Sequence, residues 1–168
     1  MSMRTDEGDL AIIARALRDA GLDAVLVGAA AANLQGAPVA TLDIDLLVRD
    51  TALNRRRVGR FAAAVGAAAP IAVSPLSRTL TVVGGPVPVD AIFEPLSGGL
   101  SFASVKSRAS PVELGGFLLR VASLEDVIRS KEAAGRPKDI AALPVLRDTL
   151  RVRQAMRETT PLPSKRGR

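Results

Sequence analysis

Between Ala24 and Val48 the chain runs through an apolar stretch, a glycine, a run of alanines, and then aspartates alternating with aliphatic residues: AVLVGAAAANLQG, later TLDIDLLV. Few local structures accommodate that order. The β-branched run Ala24 to Val27 predicts a short strand that ends at Gly28. Ala29 to Gln35 suits a short helix stopped by Gly36 and Pro38. Leu42 to Val48 then reads as a second strand. Successive side chains on a strand point to opposite faces, so Asp43 and Asp45 share one face while Leu42, Ile44 and Leu46 turn to the core.

Two carboxylates side by side repel and would partly protonate unless a cation neutralises them. Magnesium, hard and oxygen-seeking, is the natural counter-ion for such a pair. The alternative is that the D-x-D simply forms the polar face of an edge strand. A strand ending in glycine and running into a helix sets free N–H groups where a phosphate can sit.

The rest of the composition narrows the chemistry. The chain has 168 residues, which fits one domain, with or without a helical extension. With no Cys there is no disulfide, thiol nucleophile or thiolate metal site, and with no His there is no serine–histidine triad or imidazole zinc site. Catalysis must rest on carboxylates, Lys, Arg, hydroxyls and backbone. The four aromatic residues are all Phe, too few for a base-stacking platform. The polar start MSMRTDEGDL is no signal peptide, and the apolar run from Ala24 to Ala32 is too short to span a bilayer. A cytoplasmic protein without membrane contact is therefore expected. The net charge is +6, and the stretch from Arg147 onward holds seven basic residues against Asp148 and Glu158. That excess reads as a solvated tail or as a contact for RNA phosphates.

Elsewhere, Asp9 is placed to cap a helix with Leu10, Ile13 and Leu17 on one face, stopped by Gly21. Thr51 caps a helix to Val65 that turns Leu53, Val58, Phe61, Ala62 and Val65 inward and Arg55, Arg56, Arg57 and Arg60 outward. Thr79 to Val83 and Val87 to Phe93 flank Gly84-Gly85-Pro86, a hairpin signal; Val112 to Leu114 and Phe117 to Val121 flank Gly115-Gly116, a second one. Residues 94 to 110 carry no clear pattern. Ser123-Leu124-Glu125-Asp126 opens a helix to Ala134, with Gly135 as its stop. Two helical stretches follow, one from Lys138 to Leu143 and one after Pro144.

With these motifs in place, the layout resembles the minimal nucleotidyltransferase fold of the DNA polymerase β superfamily, in which a strand ending in Gly-Gly or Gly-Ser is followed by a short helix and a D-x-D strand. It is most similar to the AbiEii-like abortive-infection toxin branch and its small relatives. VLVGAAAANLQGAPVATLDIDLLV and SLEDVIRSKEAAGRPKDIAALPVL carry the likeness, which covers Leu22 to Leu150. The implied fold is α+β: a nucleotidyltransferase-like core over residues 1–122 with a small mixed sheet and flanking helices, a helical region packed on it over 123–158, and a basic, disordered tail over 159–168.

The resemblance also implies a function: metal-dependent transfer of a nucleotidyl group from a nucleoside triphosphate to a hydroxyl. RNA, including the end of tRNA, would be the acceptor, and a cognate antitoxin the partner. Asp43, Asp45 and Asp90 would hold Mg2+ or Mn2+, with Asp90 either completing the metal site or activating the attacking hydroxyl. Glu94 would be the substitute if Asp90 faced away. Gly28, Ala29, Thr41 and Lys131 would bind nucleotide, and Arg136 and Lys138 could converge with Lys131 on the phosphates. Lys138 and Asp139 could equally form a local ion pair at the helix junction. The chain departs from the family at Ala29, where a second Gly or Ser is usual, at Val39, where Arg is common, and at Gln35, where His is common. The alternative is thus a relative that binds nucleotide, RNA or a partner without turnover; a third reading is an antibiotic-type nucleotidyltransferase acting on a small hydroxylated molecule, whose acidic substrate pocket has no matching acidic run in the second half.

Overall fold

The computed structural model describes residues 7–160. The elements follow in the order α1 (Glu7–Ala20), β1 (Ala24–Val27), α2 (Gly28–Leu34), β2 (Ile44–Val48), α3 (Ala52–Ala64), β3 (Ile71–Ala72), β4 (Thr79–Val82) and β5 (Val89–Phe93). Then come α4 (Phe102–Arg108), β6 (Ser110–Leu114), β7 (Phe117–Val121), α5 (Leu124–Ala134) and α6 (Pro137–Thr159). The seven strands form one mixed sheet in the order β3-β4-β5-β2-β1-β7-β6. The β2–β5 and β1–β7 pairs are parallel and the others antiparallel. This is the α+β architecture expected from the sequence.

The three central strands carry the core. Val25, Leu26, Ile44, Leu46, Leu47, Val48 and Phe93 are fully buried. Helix α1 packs on α3, β6 and β7, whereas α2 packs on α5, β1 and β2. The alanines of α2 serve that packing: Ala30, Ala31 and Ala32 are buried, and their small side chains let the helix approach the sheet closely. Leu124, Val127, Ile128, Leu143 and Leu146 of α5 and α6 belong to the same hydrophobic cluster as the strands.

Local chemistry explains the helix ends. The Thr51 hydroxyl accepts from the Asn54 amide at 3.1 Å to cap α3, and the Ser123 hydroxyl accepts from the Asp126 amide at 3.2 Å to cap α5. Gly135 closes α5 in the left-handed region at φ +62°. Asp126 is buried and takes two hydrogen bonds from Arg108, both 2.9 Å, which fasten α4 to α5.

Several sequence expectations shift. Asp9 lies within α1 rather than at its cap. Strand β2 begins at Ile44, so Leu42 is not core-facing but 74% exposed. On α3 the inward position is taken by Asn54 instead of Leu53; its amide donates to the Arg49 carbonyl at 3.1 Å, while Leu53 stays exposed. The unassigned stretch holds α4, and the short edge strand β3 went unanticipated. The two helical stretches flanking Pro144 are one helix, α6. Pro144 is exposed there, so water can satisfy the carbonyl one turn back that loses its partner. Beyond residue 160, the basic tail lies outside the described residues.

No helix among the described residues is long and apolar enough to cross a membrane.

Candidate active site

The register of β2 against β5 builds the centre of the site. Asp45 stands directly across from Asp90 on the parallel neighbour strand. Asp43 sits just before β2, in a bend whose shape is set by Thr41, whose hydroxyl donates to the Asp43 carbonyl at 2.6 Å. Each of Asp43, Asp45 and Asp90 offers a carboxylate oxygen, and the three oxygens lie within 4.8 Å of one another. Asp43 thus reaches the group from a bend, not from the regular strand the sequence suggested.

The electrostatics of this cluster are unfavourable without a counter-charge. Burial, followed by the charges of Asp43 and Asp90, lifts the Asp45 pKa from 3.8 to about 6, with Lys131 and Lys138 pulling the other way. Three hard oxygen donors at this spacing, with one carboxyl already forced toward protonation, fit a divalent cation of the magnesium type. Thr81, opposite Asp90 on β4, donates its hydroxyl to Asp90 Oδ1 at 2.6 Å and so orients that carboxylate. Nothing in the sequence marked Thr81; only the pairing of β4 with β5 brings it there.

Gly28 has a specific reason to be glycine. Its φ is +67°, and a Cβ at this position would lie 2.3 Å from Asp45 Oδ2. The carboxylate occupies the space that any other residue would fill. Gly28 and Ala29 open α2 next to this group, and the cap residue Val27 offers the helix no side-chain acceptor. The Asp45 partner across the antiparallel pair is Val27, so the first turn of α2 starts beside the aspartate.

These residues line a cleft of about 790 Å3. Its lining includes Gly28, Ala29, Thr41, Asp43, Asp45 and Asp90, together with Lys131 of α5, Arg136 at the corner, and Lys138 and Asp139 of α6. The expected site residues are therefore brought into one cavity. Thr41 has its hydroxyl committed to Asp43, and Ala29 can offer only backbone. The expected Lys138–Asp139 pair does not form. Asp139, fully buried, instead accepts from Lys131 Nζ at 3.2 Å and from Arg136 Nε at 2.6 Å. Its pKa is lowered, because hydrogen bonds and charge from Arg136 and Lys131 outweigh the upward push of burial.

Two further expectations change. Glu94 lies past the end of β5 and is no substitute for Asp90: Oε2 accepts from the Phe102 amide at 2.6 Å and Oε1 from the Asp50 amide at 3.4 Å. Gln35 points into the fold, donating to the carbonyls of Ala31 at 2.9 Å and Ala122 at 2.8 Å. Val39 lines the cleft as an apolar wall.

Comparison with solved structures gives the same architecture. The solution structure of the antibiotic-resistance factor ANT(2'')-Ia matches with a TM-score of 0.59 at 17% identity, over 90% of this chain and 94% of that one. The crystal structure of ANT(2'')-Ia in complex with adenylyl-2''-tobramycin matches with a TM-score of 0.59 at 16% identity, over 92% and 98%. A candidate nucleotidyltransferase from Thermotoga maritima matches with a TM-score of 0.56 at 19% identity, over 80% and 88%. The likeness is one of fold: the chain has a nucleotidyltransferase-type architecture. No protein-family model and no curated protein matches it.

Proposed function

We propose that this protein transfers a nucleotidyl group from a nucleoside triphosphate to a hydroxyl acceptor, with divalent metal held by Asp43, Asp45 and Asp90. The observation that carries the reading is the convergence of these three carboxylates within 4.8 Å in a cleft that Lys131, Arg136 and Lys138 also line. Magnesium or manganese bound there supplies positive charge against the transferred phosphate and the acceptor oxygen. Asp43, Asp45 and Asp90 provide the hard oxygens, and Thr81 holds Asp90 by one of its two. Lys131, Arg136 and Lys138 face the anionic triphosphate, where fixed cations offset the charge that develops as the phosphate is transferred. The backbone of Gly28 and Ala29, at the start of α2, lies where a phosphate can approach beside Asp45.

The narrower reading takes RNA, including the end of tRNA, as acceptor, in a toxin-like protein of the cytoplasm with a cognate antitoxin. Its support is the order of the two AbiEii-like motifs along the chain. A small hydroxylated acceptor is the competing class, since the fold neighbour ANT(2'')-Ia is seen with adenylyl-2''-tobramycin. A second reading, binding without turnover, is favoured by Gln35, whose amide is spent inside the fold where relatives carry His.

Incubation with labelled triphosphates, magnesium, and either total RNA or tobramycin separates these readings. Label is expected in RNA, and Asp45→Ala is expected to abolish its incorporation. Label in tobramycin alone would replace the RNA reading. Bound nucleotide with no incorporation anywhere would leave the binder.

A further inference from the structure

Asp139 is the one carboxylate of the cleft lining that lies outside the metal-type cluster, and it is the most buried of the four, with 1% of its side chain exposed. A buried charge of this kind persists only when paired and hydrogen-bonded. Both its oxygens are occupied. Oδ1 accepts from Lys131 Nζ at 3.2 Å and from Arg136 Nη2 at 3.4 Å, and Oδ2 accepts from Arg136 Nε at 2.6 Å.

We infer that Asp139 is a positioning residue, holding the ammonium of Lys131 and the guanidinium of Arg136 side by side so that Lys131 meets the triphosphate. It acts through Lys131, as neither base nor metal ligand. This rests on the nucleotidyl-transfer reading above. A carboxylate wrapped by two cations has little affinity for a proton, so it is a poor base. The charge count also suits a shared lysine. Two cations meet one anion, which leaves a single positive charge over for a phosphate. The ammonium of Lys131 has three donors and gives one to Asp139, so it can donate to a phosphate without leaving the carboxylate that holds it.

The backbone fixes this arrangement. Lys131 is in the last turn of α5, and its carbonyl accepts the Gly135 amide at the left-handed stop. Arg136 is the N-cap residue of α6, Pro137 follows, and Asp139 lies in the first turn with its amide on the Arg136 carbonyl at 2.9 Å. The corner between the helices therefore sets where both cations point. Lys131 is 17% exposed and Arg136 is 62% exposed, so the lysine is the enclosed member of the pair.

A double-mutant cycle tests the inference. Lys131→Ala and Asp139→Asn are each expected to reduce nucleotide transfer roughly ten- to hundredfold, the scale of one lost charge-assisted contact. The double variant should be no worse than Lys131→Ala within about threefold, since a residue acting through Lys131 has nothing left to do without it. Losses that multiply, or an acid limb of the pH–rate profile displaced by Asp139→Asn, would overturn the inference in favour of a base. Full transfer by folded Asp139→Asn would overturn it in favour of a purely structural tie.

If Asp139→Asn does not fold, the cycle is run with Asp139→Glu, which keeps the charge but shifts the carboxylate, and the same non-additivity with Lys131→Ala is expected. Calorimetry with magnesium and triphosphate runs alongside. Binding abolished by Asp45→Asn, together with multiplicative Lys131 and Asp139 losses, sinks the positioning role alone. Absence of triphosphate binding by the unmutated protein sinks both readings.

Discussion

Replacing Asp45 by Asn should make the metal-free protein more stable at neutral pH, and the gain should disappear in acid. The unfolded carboxyl titrates near 3.8, whereas in the fold it is raised to about 6, so the native state binds that proton more tightly than the unfolded chain does. The penalty is therefore absent below about pH 3.8, grows as pH rises, and is complete above about pH 6. Two pKa units correspond to about 3 kcal/mol. Asn keeps the shape and removes the charge that faces Asp43 and Asp90. For a chain of this length that gain corresponds to a melting temperature higher by roughly 5–10 °C at about pH 7.5. At about pH 4 the two proteins should melt within roughly 2 °C of each other, because Asp45 is then protonated in the fold. Magnesium should reverse the order at neutral pH, stabilising the unmutated protein and not the variant. Thermal melts with chelator and with magnesium, at both pH values, read all of this directly. A variant less stable than the parent in chelator at neutral pH would refute the claim that the aspartate is held under repulsion, and equal stabilisation of both proteins by magnesium would refute its place in a metal site.

Gly28→Ala places a methyl 2.3 Å from Asp45 Oδ2 at φ +67°, so the folded variant should lose about 1–2 kcal/mol from the backbone alone, and its magnesium-dependent nucleotide binding should fall at least about tenfold; unaltered binding by calorimetry would mean that the carboxylate does not need that space. Arg108→Ala leaves buried Asp126 without its two charged hydrogen bonds and should lower stability by about 2 kcal/mol in urea melts, with nucleotide binding preserved; a loss of binding at unchanged stability would contradict a purely structural role.

The parts legible in the sequence are those fixed by local pattern. The β1–α2–β2 order, the cap at Ser123 and the hairpin around Gly115 and Gly116 each follow from a few neighbouring residues. What was missed depends partly on residues distant in the chain and partly on polar partners and exposure that hydrophobic pattern does not record. Helix α4 is short and weakly patterned; it stands because Glu94 accepts the Phe102 amide at one end and Asp126 holds Arg108 at the other. Asn54 displaced Leu53 from the core because its amide finds the Arg49 carbonyl, a partner that hydrophobic periodicity does not weigh. Pro144 reads as a helix start, yet sits on an exposed face where a missing hydrogen bond is tolerated. In the site, the aspartates were visible from their spacing, whereas the partners of Asp139 depend on the angle at the α5–α6 corner.

The parallel register of β2 on β5 has a consequence for how such a site can be lost over mutational time. Strand β2 exposes almost nothing except at Asp45: Ile44, Leu46, Leu47 and Val48 are all fully buried. A slip by one residue would turn every side chain to the other face, drive Asp45 into hydrocarbon and put an aliphatic side chain where the carboxylate stood. Drift of the backbone is thus forbidden by the core itself, and the spacing of Asp45 and Asp90 is inherited together with foldability. The cluster can be erased by substituting its side chains, but it cannot be loosened gradually. A descendant without the carboxylates would still present the same two facing positions, occupied by other residues.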